Sequence, residues 1–147
     1  MSKAPFFVRP ETYQSALSVV GTDVTVLAST QDTDGQEFTY QSGAKGMGPP
    51  PHSHDWDETF FVTKGSVEFT CAEKTELCTP GTLVFIPGGT KHAFKYGANG
   101  GEMLEITGVG SLATQLFRAV DSEIPPGRPD IEKIVDVLAE NGVTIHT

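Results

Sequence analysis

Basic residues are scarce in this chain. Ten Lys and Arg stand against 19 Asp and Glu, a formal net charge of -9 over 147 residues. An acidic chain repels phosphate backbones and anionic headgroups, so neither nucleic acid nor a membrane surface is an expected partner. Long hydrophobic runs are missing too. The N-terminal run Phe6-Phe7-Val8 is too short for the core of a signal peptide, and no stretch approaches a membrane span. A cytoplasmic protein is the expectation. There are two cysteines, Cys71 and Cys78, flanking AEKTEL. No Cys-x-x-Cys is present, which removes the usual redox and zinc arrangements. The pair reads as free thiols on neighbouring strands of a hairpin, near enough to face one another.

Glycine and proline, by contrast, are plentiful, at 16 and 10 residues. They punctuate short β-branched and aromatic segments at 24–30, 37–43, 59–65, 66–71, 82–87, 92–97 and 102–108. Many short strands at this spacing predict an all-β sandwich or barrel. Lys64-Gly65-Ser66 reads as one hairpin turn and TCAEKTELCT as a second hairpin. The last third changes period. Residues 111–120 place Leu112, Leu116, Phe117 and Val120 on one helical face. IPPGRP (124–129) breaks regular structure. Residues 130–142 form the strongest helix, with Asp130 as N-cap, an apolar stripe of Ile131, Ile134, Val135 and Leu138, and Gly142 at the C-cap. That stripe should lie on the barrel or on a partner subunit. The length argues for one domain over residues 1–147, with a barrel core at about 20–110 and a helical tail at about 111–147.

Only four histidines occur, and two of them sit one residue apart in GPPPHSHDWDETFF. In an extended chain, His52 and His54 project to one side, and Glu58 shares their parity. Two imidazoles and a carboxylate are three arms of a divalent-metal site. His92, opening a strand after a Pro-Gly-Gly turn, is the candidate fourth. His146, next to the C-terminus, reads as solvated, and Asp55 and Asp57 read as turn residues. Trp56 is expected at the barrel rim or a subunit contact. Pro49, Pro50 and Pro51 stiffen the approach to His52. Phe60 and Val62 share Glu58's parity, and Phe94 and Tyr96 share that of His92. With Met103 they make a candidate apolar pocket wall, which otherwise serves as barrel core.

These residues bring a resemblance into view. Gly46, His52, His54, Glu58 and Gly65, then Gly81, Pro87, Gly89 and His92, fit in order and spacing the two motifs of the cupins. Tyr96 stands where the second motif usually has Asn. The resemblance implies a cupin-type double-stranded β-barrel, or jelly roll, with a short C-terminal helical extension. It also implies one divalent transition metal (Fe, Ni, Mn, Co, Cu or Zn) held by His52, His54, Glu58 and His92. The layout of the tail resembles small single-domain cupins of the quercetin dioxygenase-like group. That implies a dioxygenase acting on a small enolic or aromatic, flavonol-like substrate, with Glu58 as ligand, catalytic base or both. Two alternatives stand beside it: a redox-neutral isomerase, decarboxylase or lyase, and a non-enzymatic small-molecule-binding module. Lys91 and Lys95 are the only cations near the motifs for an acidic substrate. A homodimer is expected, with APFFVRP as an edge strand for the neighbour.

Overall fold

The computed structural model describes residues 3–127 and 130–146. After an exposed N-terminal arm with a 3-10 turn at Pro10–Thr12 come β1 (Leu17–Val19), β2 (Thr22–Ala28), a short helix α1 (Thr30–Thr33) and β3 (Glu37–Gly43). β4 (His52–Ser53), β5 (Glu58–Cys71), β6 (Lys74–Cys78), β7 (Leu83–Ile86) and β8 (His92–Thr107) follow. The chain closes with α2 (Ala113–Glu123), α3 (Ile131–Glu140) and β9 (Thr144–Ile145). Every strand pair is antiparallel. The sheet order is β1-β2-β3-β8-β4-β9, with β5 against β6, β7 and β8. The expected curled, all-β architecture with short C-terminal helices is present.

β5 and β8 form the spine. They run side by side for almost their full length, from Glu58↔Thr107 to Cys71↔His92. The turn expected at Lys64-Gly65-Ser66 does not form. The strand passes straight through with register shifts at Val62/Lys64 and Gly65/Val67. β8 offers an unbroken partner there, so the chain bulges instead of reversing. Gly65 permits this: its φ is 64°, and a Cβ would lie 2.2 Å from the carbonyl oxygen of Gly100. For the same reason the segments expected at 92–97 and 102–108 are one bent strand. The second hairpin is real, closing at Cys71↔Lys74. It does not bring the thiols together. Cys78 pairs with Val67, four rungs from Cys71, about 13 Å at strand rise and well beyond disulfide reach. Both cysteines are free.

Two apolar clusters hold the molecule. The first fills the barrel with Phe60, Val62, Val67, Phe69, Phe94, Tyr96 and Met103. The second joins Trp56 to α2, α3 and Val143. α3 follows its sequence signals. Asp130 caps it by accepting from Lys133 N at 3.2 Å. Gly142, at φ 84°, ends it with Val143 N bonded to Leu138 O, a Schellman turn. Its buried face is Ile134, Val137 and Leu138. Ile131 and Val135 are exposed, so the stripe is rotated from the expected one. It covers the barrel mouth. α2 starts at Ala113, whose N donates to Ser111 Oγ at 3.0 Å, and Glu37 on β3 completes the cap by accepting from Thr114 N and Ser111 Oγ. The end of the proline-rich connector, residues 128 and 129, lies outside the described residues.

Candidate metal centre

Strand register builds this site. His52 on β4 stands directly opposite His92 on β8, which places their ring centroids 4.2 Å apart. His54 follows one residue after β4, and Glu58 opens β5. The three histidines each offer a ligand nitrogen, and these lie within 4.8 Å of one another. Glu58 joins two of them: its Oε2 is 2.7 Å from His54 Nε2 and 3.1 Å from His92 Nε2.

Each imidazole is oriented from behind by a main-chain carbonyl. Nδ1 donates to Pro50 O at 2.8 Å for His52, to Trp56 O at 3.0 Å for His54 and to Thr90 O at 2.8 Å for His92. An Nδ1-H held this way turns Nε2 toward the centre, where it donates to Glu58 when it carries a proton and would offer its lone pair to a metal when it does not. The prolines therefore do more than stiffen the approach, since Pro50 fixes the tautomer of His52. Trp56 stacks on His54 at 4.3 Å and 7°, at the rim where the helices pack.

Burial shapes the charges. His54, Glu58 and His92 are 7, 5 and 2% exposed. Burial, aided by the neighbouring His92, pushes His52 down to about 4. Burial opposes ionisation of Glu58 but is outweighed by hydrogen bonds from Glu105, His54 and His92, which hold it well below the carboxylate range. Burial also works against a charged His92 and is outweighed by the bond to Glu58, which moves it upward. A divalent cation at this centre would take the place of the protons that the Nε2 atoms share with Glu58. Three neutral nitrogens and one carboxylate fit a divalent transition metal. His52, His54 and His92 would hold it, with Glu58 beside two of them.

Glu105 was not legible as part of this site. It lies on β8, 4% exposed, and hydrogen-bonds to Glu58. Burial first, then the charge of Glu58 and that hydrogen bond, raise it well above the carboxylate range. Thr39 donates to its Oε1 at 3.0 Å, and Gln41 donates to Thr39 at 3.2 Å. The only signal was an acidic residue at an inward position of a strand.

A cavity of about 100 Å³ opens from the histidines toward the helices. His52, His54, Glu58, Glu105, Gln41 and Thr22 are its polar walls, and α2, α3, Val19, Val20 and Trp56 roof it with apolar side chains. Among the described residues, no Lys or Arg lines it. Lys91 and Lys95 border a separate depression outside, with Pro49–Pro51. Of the five expected pocket residues, Phe94 reaches the cavity. Phe60, Val62, Tyr96 and Met103 are shut in the barrel core at 0, 0, 2 and 0% exposure. Burial raises the Tyr96 hydroxyl strongly, so it stays neutral. Asp55 and Asp57 are exposed as expected, yet Asp57 clamps the two motifs together: its Oδ1 accepts from Gly88 N at 2.8 Å. His146 is half-buried and bonds Ser53 Oγ at 2.7 Å, between His52 and His54, instead of being free in solvent.

An antiparallel barrel with three histidines converging at its mouth defines a class of metal-site β-barrels. The model of the Cupin domain matches residues 34–108, and the chain belongs to the cupins. Solved structures agree. The polyketide cyclase RemF from Streptomyces resistomycificus is 25% identical, with 71% of this chain and 80% of that one covered at a TM-score of 0.62. A predicted oxalate decarboxylase from Thermotoga maritima is 17% identical, with 71% and 99% covered and a TM-score of 0.65. An RmlC-like cupin from Shewanella frigidimarina is 16% identical, with 75% and 96% covered at 0.64. No curated protein matches the chain.

Proposed function

We propose that this cupin is a metal-dependent, redox-neutral enzyme acting on a small, mostly apolar compound with an enolisable carbonyl. The observation that carries the reading is Glu58, set beside the imidazoles, hydrogen-bonded to a second buried carboxyl, and facing a mainly apolar cavity that no Lys or Arg among the described residues lines. A divalent ion held by His52, His54 and His92 supplies Lewis-acid polarisation of a substrate oxygen. Glu58 takes a proton from the carbon beside the carbonyl; the C–H electron pair moves toward the carbonyl oxygen, and the proton returns from Glu58 at another position or on another face. Glu105 is a positioning residue that orients Glu58. The apolar roof excludes water. An engineered cavity of about 150 Å³ accommodates benzene, so about 100 Å³ suits a compact substrate. The likeness to a polyketide cyclase at 25% identity supports this chemistry.

A second reading, a dioxygenase acting on a flavonol-like enol, is favoured by the apolar roof alone, and a three-ring substrate would require α2 and α3 to move. One experiment separates them. Protein reconstituted with each of Fe, Ni, Mn, Co, Cu and Zn is given small 1,3-dicarbonyl compounds in D2O, with and without O2. The first reading expects deuterium at the carbon between the carbonyls under anaerobiosis. Glu58→Gln should lose about 10²–10⁴ in rate while its three histidines keep the metal, checked by elemental analysis. Uptake of O2 in step with substrate loss would give the second reading instead. Binding without exchange or uptake would make the chain a small-molecule-binding module.

A further inference from the structure

One inward rung of the barrel holds a single polar side chain among apolar ones. Across β2, β3, β8 and β5 its members are Val24, Gln41, Met103 and Val62. Gln41 is 3% exposed, and it lines the cavity that opens from the histidines. Burying an amide is costly unless its polar atoms find partners. Only part of this one is engaged. Thr39 gives its single hydroxyl proton to Glu105 Oε1 at 3.0 Å, so toward Gln41 it can only accept. The Gln41 nitrogen therefore faces Thr39, at 3.2 Å, and the orientation of the amide is set. Its Oε1 is turned away from Thr39, and among the described residues nothing donates to it.

Thr22 is the other polar residue on this wall of the cavity, diagonal to Gln41 across β2 and β3. The buried Tyr96 hydroxyl lies beside Thr22 and has no well-formed hydrogen bond among the described residues, so the Thr22 oxygen is the group it turns to. Gln41 Oε1 is then the acceptor without a partner on this wall. Strand register fixes its distance from the chemistry. The rung of Thr39 and Glu105 lies between that of Gln41 and that of Glu58. The Gln41 amide reaches back to this middle rung, which is two residues of strand, about 7 Å, from the rung of Glu58. A single six-membered ring spans such a gap.

We propose that Gln41 is a specificity-determining residue whose Oε1 accepts a hydrogen bond from a hydroxyl of the substrate. Resting on the enolisable-carbonyl chemistry proposed for the site, this narrows the substrate to a small hydroxy-substituted carbonyl compound. The hydroxyl lies across one ring, or an equally short chain, from the carbon that Glu58 deprotonates. The donor is uncharged, because an ammonium group would exchange its hydration for one amide oxygen between apolar walls. A substrate lacking the hydroxyl leaves the buried acceptor unpaired, which is how such a site discriminates. The contact also reaches the base. Gln41, Thr39 and Glu105 form a hydrogen-bonded chain that ends on Glu58, and each bond in such a chain polarises the next.

Titration calorimetry on the Zn-loaded full chain tests this with three ligands: 1,3-cyclohexanedione, its 5-hydroxy derivative and its 5-fluoro derivative. Fluorine is close to a hydroxyl in size but cannot donate. The wild type should bind the hydroxy compound about tenfold more tightly than either of the others. Gln41→Leu, which nearly conserves volume, should bring the three to equal affinity and leave that of the parent compound unchanged. Its zinc content should match the wild type, because Gln41 is not among the side chains that would hold the metal. Should the variant fail to fold, the wild-type preference for hydroxyl over fluorine decides alone. Equal binding of the three by the wild type overturns the proposal, and so does a hydroxyl preference that survives in Gln41→Leu. Binding of none of them would overturn the carbonyl chemistry proposed for the site, and this proposal with it.

Discussion

Glu105 and Glu58 show how one burial environment sets two carboxyls apart. Glu58 is surrounded by donors and stays charged, whereas Glu105 has Glu58 for a neighbour and keeps its proton. The sign of the effect on stability follows. The unfolded chain ionises Glu105 at about pH 4.3, and the folded chain does so far higher. Its stabilising contribution is complete below the unfolded value and is lost as pH rises toward the folded one. Glu105→Gln keeps an uncharged hydrogen-bonding side chain and removes the titration. The metal-free variant is expected to melt above the wild type at about pH 8, with the gap closing by about pH 4. Thermal unfolding at the two pH values checks it; equal melting temperatures at the higher pH would show that Glu105 is not held neutral.

At the scale of elements, the site depends on a turn gripping a loop. Residues 87–89 meet the His54–Asp57 loop through Gly89 N to His54 O at 2.7 Å and Gly88 N to Asp57 Oδ1 at 2.8 Å. Gly88 has no room for a side chain, since a Cβ there would lie 2.2 Å from Asp55 O. Gly88→Ala must push the loop outward and carry His54 with it. Overpacking of this kind costs about 1–3 kcal/mol, and loss of support behind a ligand typically lowers metal affinity about 10–100-fold. Calorimetry and metal titration should show both losses together. A variant that loses stability but binds metal as before would mean that the loop adjusts without moving His54.

At the scale of the whole molecule, a metal held by residues of both motifs would couple these parts. An ion that binds the folded chain alone stabilises it by about 2.7 kcal/mol at a hundred times its dissociation constant. For a domain of this size that is a rise of about 5–11 °C in melting temperature. The rise should vanish on chelation and in His92→Ala, which removes the arm that joins the two motifs. Both states can be followed by scanning calorimetry. An unchanged melting temperature in the wild type across the six metals would argue against a metal centre.

The local pattern in the sequence was sufficient for the strands, the α3 caps and the histidine cluster. Those features rest on spacing over a few residues: alternation, a capping Asp130, a terminating Gly142, and His-x-His before Glu58. It could not tell a turn from a bulge at Gly65, because both need a left-handed glycine and only the length of β8 decides between them. Nor could it pair His52 with His92 by register, rotate the buried face of α3, or make Glu37 a cap for a helix 77 residues away. Phe60, Val62 and Met103 had the parity of pocket residues, but depth in the barrel turned them into core. Glu105 and His146 entered the surroundings of the site only through long-range contacts. The sequence by itself determined which side chains this protein has for binding a metal. The tertiary structure decided which of them meet, and how deeply they are buried, because pairing register and burial arise only between segments far apart in the chain.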